Sequence, residues 1–372
     1  MVCCYLLLAG CVEPYAPDVI DAPNQFLVVD GFINGNGPTI ITLSRTQNLT
    51  EDGPPVFESR AEVLIEEEQG PQYMLTEGDT GTYTVSGLNL NLDRKYRLLI
   101  RTADGKEYSS EFVEIKQTPP IDAVIWRAVD NEVQLYVNTH DPENNTRYYR
   151  WEYENTWEFT AALLAGVKYE NDTIIERSAE DEKIYRCWRT EKSVDLLLAS
   201  TVRLSEDVIH EFPLQTLPST SEAFRFDCSI LVKQYAQTRE AYEYWEMLQK
   251  NTENIGTLFD PLPSQLRGNI HCVTNPDEAV IGYIGAFTVQ EKRIFINNEE
   301  LPKEWPFFYP TCDYDTIPVA KVFESFGGSA FLPLWIIYSP PPGSKITGYT
   351  RTLQACADCR LRGTNVKPDF WP

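Results

Sequence analysis

Two thiols in "CADC", Cys356 and Cys359, come nearest to a reactive motif in this 372-residue chain. A CxxC can hold half of a zinc site, exchange disulfides, or be bonded elsewhere. Structural zinc wants four ligands, and a redox pair wants a thioredoxin-like βαβ setting. Neither a second ligand pair nor a βαβ pattern accompanies these cysteines. His271-Cys272 places two ligand types side by side, again without a second pair. His210 opens "HEFPL", which lacks the second histidine of a zinc-protease helix. Ser329 in "GGSAF" lacks the second flanking glycine of a nucleophile elbow. No phosphate loop or dinucleotide fingerprint occurs. The expectation is a protein with no catalytic residue, no metal and no cofactor. A glycosidase-type carboxylate pair has no short signature, so an envelope glycan hydrolase remains the alternative.

Cysteine chemistry of another kind opens the chain. "MVCCYLLLAGC" is uncharged from Met1 to Gly10 and far shorter than the roughly 20 residues of a membrane-spanning helix. The order Leu8-Ala9-Gly10-Cys11 looks like the lipobox of a bacterial lipoprotein signal. Small residues let a peptidase close on the backbone, and the Cys11 thiol can take a lipid thioether. The usual basic segment ahead of the apolar run is missing, the first Lys or Arg being Arg45. As structure, the run would instead be a buried N-terminal strand. The reading adopted is a signal peptide at residues 1–10, lipidation of Cys11, and a proline-rich acidic tether at 11–24. The lipid would then be the chain's only hold on a membrane.

Six cysteines follow Cys11: Cys187, Cys228, Cys272, Cys312, Cys356 and Cys359. An even count in an exported protein points to disulfides, but six thiols allow fifteen pairings. Cys356 and Cys359 lie in a segment without strong periodicity, which needs a staple to stay ordered. At least one of them is expected to be bonded, with Cys312 as a candidate partner.

A net charge of −23 with no basic cluster excludes a phosphate-backbone partner, since nucleic-acid binding rests on Lys and Arg displacing counterions. Aromatic residues make up 12% of the chain, too many for a disordered one. From "QFLVVDGFI" to "KYRLLIRTADGKEYSSEFVEI", short runs in partial alternation are separated by turn signals such as Asn34-Gly35-Asn36-Gly37 and Gly78-Asp79. That spacing predicts an immunoglobulin- or prealbumin-like β-sandwich over 25–118. Pro119 and Pro120 cannot donate to a sheet ladder and mark a boundary. The remainder, 119–372, reads as a fibronectin-like β-rich domain with a helical insertion. In "TREAYEYWEMLQKNTENIG", Ala241, Trp245, Leu248, Thr252 and Ile255 share one face, predicting a helix at about 239–254. Thr238 can cap its start and Gly256 its end. "AVIGYIGAFTVQEKRIFI" reads as a strand pair and "AFLPLWIIY" as a buried strand.

Several of these stretches together resemble one family. They are "QFLVVDGFI", "GTYTVSGLNLNLDRKYRLLIRTADGKEYSS", "SILVKQYAQTREAYEYWEMLQKNTENIGTLFDPLPSQLRGNI", "EAVIGYIGAFTVQEKRIFI" and "CADCRLRGTNVKPDFW". They are similar to the Bacteroidota outer-membrane lipoproteins catalogued as domain of unknown function 4249. The helix-to-"FDPLPSQ" stretch and the "CxDCR…KPDFW" tail are the most specific parts. The resemblance implies a cell-surface-exposed outer-membrane lipoprotein that partners a TonB-dependent receptor, and it implies no catalytic residue. In such a protein Phe259, Leu262 and Leu266, on the proline-rich loop after the helix, are the candidate docking residues.

Overall fold

The computed structural model describes residues 25–47, 53–88, 90–253, 268–306, 310–340 and 345–372. Residues 1–24, with the expected signal, tether and Cys11, lie outside them. So does 254–267, which carries Ile255, Gly256, Phe259, Leu262 and Leu266.

Strict alternation builds the first module. In Lys95–Arg101, Tyr96, Leu98 and Ile100 point inward while the residues between them face out. Leu27–Asn34, Thr39–Arg45 and Thr82–Val85 pair antiparallel as one sheet. Glu62–Glu67, Lys95–Arg101 and Glu107–Ser110 form the sheet opposite. Leu27, Val29, Ile41, Leu43 and Tyr83 of one sheet meet Val63, Ile65, Tyr96, Leu98 and Ile100 of the other in a common core. The chain is mainly β, and this module is a β-sandwich.

The sandwich is not complete at residue 118, and the expected domain boundary needs correction. The chain returns to it much later. Ile270–Cys272 pairs with Glu107–Ser110, and Val280–Ile281 runs parallel to Leu27–Val28. Ala286–Phe287 lies parallel to both Ile33–Asn34 and Ile115–Lys116, joining the two sheets along one side. Ile270, Cys272, Val280, Ile284 and Ala286 thereby enter the core of the first module. Gly282 makes the close approach feasible, since at its φ of +136° a Cβ would lie 2.2 Å from the Val29 carbonyl oxygen. "AVIGYIGAFTVQEKRIFI" is therefore not a hairpin. Only Val289–Ile296 belongs to the second module, and the strands before it serve the first.

The second module is also a β-sandwich. Ile121–Val129, Glu132–His140 and Val208–Pro218 form a three-stranded sheet. It faces a five-stranded one centred on Tyr148–Thr160 and Cys228–Ala236, flanked by Arg186–Lys192, Leu197–Ser200 and Val289–Ile296. Val133, Leu135 and Val137 pack on Tyr149, Trp151, Phe159, Ile230 and Val232 between them.

A smaller sheet of Asp315–Pro318, Ile346–Leu353 and Phe331–Tyr338 follows. Phe331–Tyr338 is not the buried strand its composition predicts, because Trp335 is 50% and Tyr338 54% exposed. The Trp335 ring lies directly over Gly166, where a Cβ would come within 2.2 Å of it. The remaining tail crosses the second module. Thr364 bridges Trp188, and Trp371 packs edge-on against Trp188 and Phe295 on the outer face of the five-stranded sheet.

Candidate functional site

The helix Arg239–Glu253 lies at the junction of the two sandwiches. The Thr238 hydroxyl accepts from the Ala241 amide at 3.2 Å and caps the helix start, as the sequence pattern predicts. Ala241 and Tyr244 are buried, with Trp245 and Leu248 half-buried beside them. Trp245 rests on the Arg150 guanidinium, which also meets the Tyr235 ring, each ring centroid 4.7 Å away. Tyr242 packs on Tyr148 at 5.0 Å, and Gln249 donates to the Leu196 carbonyl at 2.7 Å. On its other side Tyr244 meets Tyr283, from the segment that completes the first module, at 5.4 Å. The helix thus touches both modules.

A shallow groove of about 280 Å³ runs along this junction. Tyr244, Tyr283 and Met247 supply its apolar surface, and Glu111, Glu240 and Glu243 its charge. Burial pushes the Tyr244 phenol up to about 12, so it stays neutral at physiological pH. Arg239 pairs with Glu243 at 2.7 Å, and His271 stands 3.7 Å from Glu111. Carboxylates beside aromatic rings suit a cationic group, held by charge and by the rings' electron-rich faces. Gly268 and Asn269 complete its lining. The candidate docking residues Phe259, Leu262 and Leu266 fall outside the described residues.

The residues with catalytic or metal-binding potential are dispersed. His271 and Cys272 alternate along one strand, so His271 is exposed while Cys272 points into the core. His140 is paired with Asp122 at 2.8 Å on the surface. Glu211, beside His210, makes a two-pronged contact with Arg127. Among the described residues no three His, Cys, Asp or Glu side chains converge as a metal site. Carboxylates on the outer face of the five-stranded sheet are held by neighbours. Glu152 lies 3.0 Å from Arg150 and accepts from the Tyr235 hydroxyl at 2.8 Å, and Glu154 lies 2.8 Å from Lys233.

The C-terminal cysteines form two bridges. Cys312 is bonded to Cys356, and Cys359 to Cys187 in the strand Arg186–Lys192. "CADC" is therefore a covalent node whose thiols are both engaged, one tied to the small sheet's leading loop and one to the second sandwich. Cys228 and Cys272 are buried free thiols. Sequence reasoning missed the part of Cys187 and the aromatic seat of the helix. The signal for the latter, Tyr244 and Trp245 in the helix with Arg150 on a strand, lies in residues nearly a hundred positions apart.

A family model described as Domain of unknown function (DUF4249) matches residues 12–293. No curated protein matches the chain. Similar solved structures include a cytokine receptor complex, 11% identical over 56% of this chain and 91% of that one, with a TM-score of 0.20. Another is a two-domain fibronectin type III segment of chicken tenascin, 10% identical over 57% and 89%, with a TM-score of 0.17. At such scores neither informs the function. The family match spans most of the length, and the chain belongs to the DUF4249 family.

Proposed function

We propose that this protein is a surface-exposed outer-membrane lipoprotein that acts by binding, as an accessory of a TonB-dependent transporter, and that the helix-side groove takes a basic side chain of its partner. The observation that carries the reading is the groove itself, in which three carboxylates and two tyrosine rings sit where the two sandwiches and the helix meet. Carboxylates set beside aromatic faces give a cation both charge pairing and a ring contact. Leu8-Ala9-Gly10-Cys11 supports the lipid anchor, and the two disulfides support an oxidising compartment outside the cytoplasm. The test is affinity purification from native membranes. Wild-type protein should bring down a TonB-dependent receptor, and a Glu111→Gln, Glu240→Gln, Glu243→Gln variant should recover at least tenfold less. Equal recovery by the variant removes the groove from the interface; no receptor with either protein removes the transporter.

A further inference from the structure

Cys187 and Cys359 are bonded across 172 positions, and the Cys312–Cys356 bridge is nested inside that loop. Two thiols that stay free in the finished fold, Cys228 and Cys272, lie between Cys187 and its partner in the sequence. When the chain is unfolded, or emerges from its N-terminal end, Cys187 encounters both before Cys359. Cys228 is 41 positions away. Encounter frequency falls roughly as the −3/2 power of loop length, so Cys187 meets Cys228 about ninefold more often than Cys359.

The finished sheet forbids that early bond. Cys187 opposes Phe159, and Cys228 opposes Trp157, on opposite sides of the central strand Tyr148–Thr160. Two strand spacings and a two-residue offset put them about 12 Å apart, beyond the roughly 7 Å between Cα atoms that a disulfide spans. A chain bonded Cys187–Cys228 cannot admit its central strand and must break that bond to fold.

We infer that the native pairing is reached by disulfide exchange and that the chain is a substrate of a thiol–disulfide isomerase. In the first step the Cys187 and Cys228 thiols give two electrons and two protons to the disulfide form of a dithiol oxidoreductase. In the second a thiolate of the isomerase attacks Cys187 Sγ, and Cys228 leaves as a thiolate and takes a proton. The Cys359 thiolate then attacks Cys187 Sγ, forming Cys187–Cys359 and returning the isomerase thiolate, with no net redox change. Folding closes the route back. Cys228 becomes wholly buried, and burial pushes its thiol up to about 12, so it no longer supplies the attacking thiolate. The inference goes beyond the binding reading and stands whichever partner the groove takes.

The test uses the full chain carrying Cys3→Ser, Cys4→Ser and Cys11→Ser, so that only the six later thiols compete. Reduced, denatured protein is refolded with oxidised glutathione, with and without a disulfide isomerase. Thiols are blocked with iodoacetamide at intervals and the bonds mapped by mass spectrometry. Early samples should hold several-fold more Cys187–Cys228 than Cys187–Cys359, and isomerase should speed the appearance of the native pairs at least fivefold. A Cys228→Ala variant should need the isomerase less. Native pairs that form first, with no acceleration by isomerase, overturn the inference. The wild-type time course decides it even if the Cys228→Ala chain folds poorly.

Discussion

The Arg150 guanidinium sits 4.7 Å from the Trp245 ring, and this contact seats the helix on the second sandwich. A cation largely withdrawn from water gains more from a ring face than an exposed one does, up to about 2 kcal/mol. Replacing either residue by Ala should loosen the helix, and a double-mutant cycle should return about 1 kcal/mol of coupling. Hydrogen exchange of the 241–250 amides should quicken in both single variants. Strictly additive effects would mean that the two side chains pack independently.

Glu278 ties the returning segment to the first module. Its carboxylate accepts from Lys106 Nζ and the Tyr108 hydroxyl, both at 2.7 Å, with Arg45 at 3.8 Å. Burial alone would raise this carboxyl, but the bonds from Lys106 and Tyr108 overcome it and hold the group below the usual range. A depressed folded value means that its stabilisation is complete above the unfolded value of about 4.3 and is lost as pH falls through the folded one. Glu278→Gln should cost about 2 kcal/mol at neutral pH and flatten the acid limb of the stability profile below about pH 4. A variant with the wild-type acid limb would show that other carboxylates govern it.

The Cys312–Cys356 bridge closes a loop of 44 positions that contains the whole of the small three-stranded sheet. Restricting the unfolded chain in this way typically contributes about 2–4 kcal/mol. The double variant Cys312→Ser, Cys356→Ser should lose that much in guanidinium unfolding. Correctly exported protein in which peptide mapping finds both thiols free would reject the bridge.

Lipid on Cys11 should hold the protein in the membrane fraction, and Cys11→Ala should release it or stall its processing. One acyl chain binds only marginally, so the several chains of a bacterial lipoprotein matter. Mass spectrometry of the mature protein settles the matter: an intact Met1 would sink the anchor.

Replacing Phe259, Leu262 and Leu266 together with Ser should abolish co-purification with a transporter while leaving the melting temperature nearly unchanged, because interface cores favour apolar groups. Loss of folding would instead assign the segment to the structure of the second module.

Long periodic elements were the legible part of this fold. "KYRLLIR" announces its inward face residue by residue, and "TREAYEYW" carries both a cap and an apolar stripe. The returning segment was not legible, for a physical reason. Val280–Ile281 and Ala286–Phe287 are two residues long, too short to show a period, and their partners lie more than 160 positions away. The groove was half visible: the helix supplies Glu240, Glu243, Tyr244 and Met247, but only the fold brings Glu111 and Tyr283 against them. Cysteine composition pointed to bridges, yet nothing in the spacing singles out Cys187 as the partner of Cys359.

The parallel placement of Ala286–Phe287 between Ile33–Asn34 and Ile115–Lys116 has a consequence for how such a protein can be dissected or recombined. A gene fragment ending at residue 118 would encode a barrel missing a stave, with Ile270, Val280, Ile284 and Ala286 absent from its interior. A fragment beginning at residue 119 would carry those same side chains with nothing to cover them. No single cut in the gene therefore liberates either sandwich with its core intact.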